Sequence, residues 1–278
     1  MRLGYNPLPA WIYPPFAKLE WRQDRLYKED TLAFGYSGTA VRALGTMDMK
    51  KLGLIGGTGP QSTLIYYKTL VYGANKRVGK EFFPNLTIES LNVFNVLKYC
   101  ADRDYEGLTR YLVGGIHNLI AAGCEVVALT GNTPHIVFDA LREHSSVPLI
   151  SIIETTRDDA KKRGLKKLGL LGTRFTMTED FFKKPFRDAG IEVVTPTGRD
   201  FDFVVEKISD ELEHGVVKPA TQAEFMAIIQ KLIVESGIDA LVLGCTELPL
   251  LFDNVALPIP CLDTLEIHAQ ALLSAMAL

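Results

Sequence analysis

KKLGLIGGTGP (50–60) runs a short apolar segment into a glycine-rich turn, and KKLGLLGTRFTM (166–177) does the same 116 residues later. A second pair of segments echoes at almost the same offset. Setting EVVALTGNTPH (125–135) against DALVLGCTELP (239–249) pairs Gly131 with Cys245, 114 residues apart. Two landmarks at nearly equal spacing indicate two similar halves made by duplication, with a thiol in only one copy.

Working outward from these segments, short apolar runs alternate with helical patterns. The strand candidates of the first half are LGLIG (52–56), LTIESL (86–91), EVVALT (125–130) and PLIS (148–151). Those of the second are KLGLLG (167–172), EVVTP (192–196), ALVLG (240–244) and PIPCL (258–262). Between them Leu64, Tyr67, Val71 and Ala74 keep helical spacing, as do Leu108, Leu112, Ile116, Leu119 and Ile120. Ser62 and Thr63 are candidate caps of the first helix. Alternation of this kind predicts an α/β fold of two similar lobes related by pseudo-twofold symmetry, each a parallel sheet flanked by helices. The expected division is 49–151 for the first lobe, completed by a C-terminal helix at 263–278, and 152–262 for the second. Sites of open α/β sheets form beyond the carboxyl ends of the strands. Facing lobes would therefore gather GGTG, GNT, GTRFT and GCTE around one cleft.

Residues 1–48 read differently. They hold both tryptophans, Trp11 and Trp21, a proline-rich PLPAWIYPP, and no sustained period. Two readings stand: an accessory arm, or a natural start at Met47 or Met49 with the upstream stretch foreign to the protein. Across the 278 residues hydrophobic types make up 47% and charged types 23%, enough apolar surface for a real core. A net charge of −3 gives no global attraction for nucleic acid or an anionic membrane. No apolar run approaches the roughly 20 residues that cross a bilayer, and no signal-peptide core opens the chain. Cys100, Cys124, Cys245 and Cys261 lack metal-like or disulfide-framework spacing, which predicts a reduced, cytoplasmic protein.

GGTGP (56–60) is not a nucleotide loop, since it lacks GK[ST] and the GxGxxG spacing. It suits a tight strand-to-helix turn in which Thr58 and backbone amides meet a small anion, or a turn that merely needs glycine. The five histidines have no HExxH or CxxC companion, so no metal site is expected. For His135 a bond to backbone outweighs a role in orienting a polar group, and His268 carries the same ambiguity. Cys245 lies between an apolar strand and a turn into a helix. Amides at a helix start favour an anion, so a thiolate near neutral pH is expected there. Thr246 and Glu247 add a hydroxyl and a carboxylate beside it. Cys100, Cys124 and Cys261 read as buried small hydrophobes.

In this order GGTGP, NT-x-H (Asn132, Thr133, His135), GT-x-x-TM (Thr173, Thr176), GCTELP (244–249) and DT-x-x-IHA (263–269) resemble the aspartate/glutamate racemase family. The resemblance runs from about Met49 to the C-terminus and includes none of 1–48. It implies two facing α/β lobes, no cofactor, a homodimer, and a small carboxylate or amino acid as substrate. In that family two cysteines stand on opposite faces of the substrate α-carbon; one removes a proton as thiolate while the other delivers one as thiol. By resemblance the intermediate's carboxylate is held by Asn132, Thr133, Thr173, Thr176 and Thr246.

The pattern is broken in two places. The residue before Asn132-Thr133, a cysteine in the family, is Gly131 here. Thr130, next in line, should point to the other face of the strand. A lysine that pairs with the side-chain carboxylate in aspartate-specific members aligns with Phe203, with Arg199 or Lys207 as candidate substitutes. Three functions follow as expectations. One is an amino-acid racemase using Cys245 on one face, with another side chain or a water over Gly131. Another is an arylmalonate-type decarboxylase in which Cys245 is the sole proton donor. The third is a small-carboxylate binder that has lost the chemistry.

Overall fold

The strand candidates form two parallel sheets of four strands with the same order, as a duplication requires. The computed structural model describes residues 49–253 and 255–277; both readings of residues 1–48 fall outside it. In chain order the first half is β1 (Leu52–Gly56), α1 (Pro60–Val78), β2 (Leu86–Ser90), α2 (Val93–Ala101), α3 (Tyr105–Ala121), β3 (Val126–Leu129), α4 (Phe138–Glu143) and β4 (Leu149–Ile150). After α5 (Ile152–Lys162) come β5 (Lys167–Gly172), α6 (Arg174–Thr178), α7 (Asp180–Asp188), β6 (Glu192–Val194) and α8 (Gly198–Asp210). The chain ends through α9 (Pro219–Lys231), β7 (Ala240–Gly244), α10 (Leu248–Leu251), β8 (Cys261–Asp263) and α11 (Thr264–Met276). The sheets run β2-β1-β3-β4 and β6-β5-β7-β8, every pairing parallel.

Alternation along the strands feeds apolar side chains to both sides of each sheet. Ile55, Val127 and Leu129 pack with Leu108, Leu112, Ile116 and Leu119 of α3. Leu52, Leu54, Val126 and Ala128 pack instead with Tyr66 and Leu70 of α1 and Leu265, Leu272 and Leu273 of α11. The second sheet sits in one larger core that includes Leu168, Leu170, Phe182, Phe225, Val242 and Leu262. No described helix is long and apolar enough to cross a membrane.

The sequence expectations need correcting at the first helix. It begins at Pro60, a residue suited to the first turn because its missing N–H would be unpaired there anyway. Gly59 is its N-cap, and Ser62 and Thr63 lie inside the helix, both donating to the Gly59 carbonyl. Its buried face is Ser62, Thr63, Tyr66, Leu70, Val71 and Ala74, whereas Leu64 and Tyr67 are exposed. The outer strands are shorter than their apolar runs: β4 keeps two residues, β6 three, and β8 begins only at Cys261.

Candidate active site

The turns after β1, β3, β5 and β7 converge on one cavity of about 260 Å³. Its lining includes Thr58 and Gly59, Gly131, Asn132 and Thr133, Thr173, and Gly244 through Glu247. The sequence candidates Thr58, Asn132, Thr133, Thr173, Cys245, Thr246 and Glu247 therefore meet in one place, and Gly131 lines the same space as Cys245. Thr176 does not. It is fully buried, and its hydroxyl lies 3.1 Å from that of Thr173, which in turn lies 3.1 Å from that of Thr133. Thr176 thus anchors Thr173 from behind. A wider groove of about 790 Å³, lined by His135, His144, Arg157 and Lys184 among others, holds no thiol.

Cys245 is 5% exposed, and its Sγ donates to Glu247 Oε2 at 3.1 Å. Thr246 Oγ1 donates to the same oxygen at 3.0 Å, so Glu247 acts as a carboxylate acceptor. This overturns the expected thiolate. Burial first, and then the negative charge of Glu247, push the Cys245 thiol well above its ordinary range. The helix that follows is a single short turn, too little to offset both. The resting site is a protonated thiol held on a carboxylate. Gly59 makes room for that arrangement: a Cβ there would come 2.7 Å from Glu247 Oε1.

At Gly131 the φ angle lies outside the left-handed region, so no backbone demand for glycine arises. A Cβ built there meets Thr58 Oγ1 at 3.1 Å and the Thr58 carbonyl at 3.2 Å, tight contacts that require Thr58 to give by a few tenths of an ångström. The Thr58 hydroxyl is buried without a hydrogen-bond partner, as is Asn132 Oδ1. Asn132 Nδ2 donates to Thr264 Oγ1, which donates to the Leu243 carbonyl and ties the first lobe's loop to β7. Thr130 points away, its hydroxyl on the Ile55 carbonyl and 3.3 Å from that of Thr63.

His135 is structural. The Ile152 N–H donates to Nε2, so Nδ1 carries the proton and donates to the Gly131 carbonyl at 2.9 Å. Burial lowers its pKa to about 3, keeping the ring neutral. His268 is likewise held, between Tyr66 and the Ile150 carbonyl. Cys100 and Cys124 are buried as expected, but Cys261 is only half-buried in β8. Among the described residues, no group of three His, Cys, Asp or Glu could hold a metal ion.

Several cavity residues were missed from sequence. Val93, Phe94, Val96 and Leu97 form an apolar wall at the start of α2. Glu213 and His214 enter from a 3-10 turn, Leu212–His214, after α8. Neither Arg199 nor Lys207 lines the cavity; Arg199 pairs with Glu224, and Lys207 with Glu206 and Glu211. Phe203 packs on Phe225.

Known proteins share this architecture. The chain is 24% identical over 231 residues to the broad specificity amino-acid racemase RacX of Bacillus subtilis, covering 80% of this chain and 96% of that protein. The solved structure of an aspartate racemase homologue from Pyrococcus horikoshii OT3 is similar at 37% identity and a TM-score of 0.72, covering 81% of this chain and 98% of that one. The aspartate racemase of Picrophilus torridus shares the fold at 24% identity and a TM-score of 0.65, over 82% of this chain and 94% of that one. Residues 55–272 match the model of the Asp/Glu/hydantoin racemase family, and with the two matched sheets and the cavity at their carboxyl ends, the chain belongs to that family.

Proposed function

We propose that the protein is a cofactor-independent racemase acting at the α-carbon of an amino acid, with Cys245 as the acid/base on one face. The observation that carries this reading is the Cys245 thiol bonded to Glu247 in a cavity it shares with Gly131 and a set of hydroxyls. The substrate carboxylate is held by backbone amides and the paired hydroxyls of Thr133 and Thr173, with Asn132 and Thr58 beside them, while the Thr246 hydroxyl stays on Glu247. Cys245 delivers its S–H proton to one face of the planar intermediate, forming the new Cα–H bond. The Cα–H bond on the Gly131 face breaks in the other half of the exchange, its proton passing to a water beside the Thr58 hydroxyl. In the opposite direction the thiol first gives its proton to Glu247, then removes the substrate proton as thiolate. The relative named for broad specificity leaves the side chain open.

Solvent-deuterium incorporation at the α-carbon tests the reading. Cys245→Ser should lower exchange by about 10³-fold or more, because a serine hydroxyl is a far weaker acid. A folded Cys245→Ser protein with undiminished exchange would remove the proposed role. One observation favours a second reading, an arylmalonate-type decarboxylation. The bare Gly131 and the wall of Val93, Phe94, Val96 and Leu97 offer room and an apolar environment for a departing carboxylate. Carbon dioxide release from an α-aryl or α-alkyl malonate, without exchange into any amino acid, would select it.

A further inference from the structure

The cavity offers acceptors and almost no positive charge. Among the described residues no lysine or arginine lines it; its lining includes the carboxylates of Glu213 and Glu247, and His214. The cations of α8 and of the start of α9, which flank the turn carrying Glu213, are engaged in the fold. Lys207 and Lys218 both pair with Glu211, and Thr221 donates to the same carboxylate at 2.7 Å. Arg199 pairs with Glu224 on the surface. The two acids of one turn thus have opposite fates: Glu211 is bound into the fold, while Glu213 has no hydrogen-bond or ion-pair partner among the described residues.

Glu247 is committed to Cys245 and Thr246. Glu213 is the carboxylate left over, and burial, with the charge of Glu247, pushes it up to about 7. A second, independent signal comes from Asn132, which lines the same cavity at 5% exposure with its Oδ1 buried and without a donor. A dicarboxylic amino acid would add a further anion to this set with no lysine or arginine among the described lining residues to receive it. A side chain with a methylene stem and a cationic end suits it. The stem lies along Val93, Phe94, Val96 and Leu97, and the charged end meets a carboxylate.

We propose that the site selects amino acids with a cationic side chain, of the lysine, ornithine or arginine kind, and that Glu213 is the residue that pairs with that cation. The proposal rests on the racemase reading for its chemistry, while the charge selection itself is a matter of binding. The cation also acts on the reaction. Brought into the cavity, it offsets the negative charge that helps hold the Cys245 thiol protonated.

The test measures α-deuterium exchange by the full chain on lysine, ornithine, arginine, leucine, aspartate and glutamate, beside calorimetric binding of lysine and glutamate. The expected result is a kcat/KM for the cationic amino acids at least 10-fold above that for aspartate or glutamate. Glu213→Gln should raise the KM for lysine about 10-fold while kcat changes less, and Glu213→Lys should turn the preference toward glutamate. Preferred exchange of aspartate or glutamate by the native protein would overturn this proposal and leave the racemase reading standing. So would a folded Glu213→Gln variant with unaltered KM for lysine. Binding of lysine but not glutamate, with no exchange of any amino acid, would support the charge selection and overturn the racemase reading instead.

Discussion

Burial and one neighbouring carboxylate set the chemistry at Cys245. A thiol at the end of a strand, entering a helix, reads as an activated thiolate, but two effects of opposite sign compete there. One short helical turn gives little stabilisation to an anion, whereas burial and an adjacent carboxylate both oppose it. The resting group is therefore a protonated thiol; in the proposed reaction it would serve as the acid, and as a base only once Glu247 or an incoming cation relieves it. Alkylation with iodoacetamide should accordingly be slow at neutral pH in the free protein and rise only on the alkaline side of the ordinary thiol range. Glu247→Gln removes the second-largest cause of the shift, so its labelling profile should move to lower pH. Rapid native labelling at pH 6, or an unmoved profile in the variant, would contradict this account of the dyad. Labelling must be read at Cys245 by peptide mapping. Burial pushes the Cys100 thiol up to about 11, and the half-buried Cys261 thiol stands at about 12.

At the scale of elements, α11 is fastened across the first sheet by His268. The Ile150 carbonyl of β4 can only accept, so Nε2 carries the proton and Nδ1 accepts from the Tyr66 hydroxyl of α1 at 2.7 Å. Burial lowers this histidine to about 4 and His135 to about 3. Both rings stay neutral in the fold but charge when unfolded below about pH 6.5, so the unfolded chain binds more protons there. Their contribution is complete above pH 6.5 and is lost as pH falls toward 4, at about 1.4 kcal/mol per pH unit for each ring. His268→Leu should destabilise by about 2–4 kcal/mol at pH 7, leaving Tyr66 and Ile150 unpaired, and should shallow the acid slope between pH 6 and 4.5. Urea unfolding across that range reads both effects; an unchanged slope would mean that His268 titrates normally. The central strands β1, β5 and β7 were legible in full because they are apolar on both faces and bounded by glycine. The edge strands were not, since chain can stay extended past the last ladder bond. Cap and face on α1 were misread for a related reason. Pro60 starts the helix earlier than the hydroxyls suggest, and packing of Tyr66 and Leu70 on β1, β3 and α11 turns Ser62 and Thr63 inward while Leu64 and Tyr67 face outward. Glu213 left no sequence signal, because its place in the cavity depends on where a 3-10 turn crosses between elements distant in sequence.

At the scale of the whole molecule, duplication explains why one position on each lobe reaches the same cavity. β3 and β7 occupy the same place in sheets of identical order, and the residues just beyond them are Gly131 and Cys245. In the proposed reaction each lobe would address one face of the α-carbon, so a thiol in one copy alone would make the faces unequal. The native protein should therefore exchange α-deuterium into one enantiomer distinctly faster than into the other. Glycine at 131 is not required by its backbone, whose φ lies outside the left-handed region, and the atoms nearest an added Cβ are those of Thr58, at 3.1 and 3.2 Å. Both Gly131→Ala and Gly131→Cys should therefore fold, with Thr58 moving by a few tenths of an ångström. Gly131→Ala should exchange no faster than the native protein on either enantiomer. Gly131→Cys should raise the slower enantiomer's exchange by about 10-fold or more, because a positioned general acid or base typically contributes about 10²–10⁴-fold, part of which the strained contact with Thr58 offsets. Initial rates on each enantiomer in deuterated buffer separate the possibilities. If the alanine and cysteine variants lose activity equally while remaining folded, the cavity needs the open space itself, and the inequality of the two faces is not a matter of a missing proton carrier.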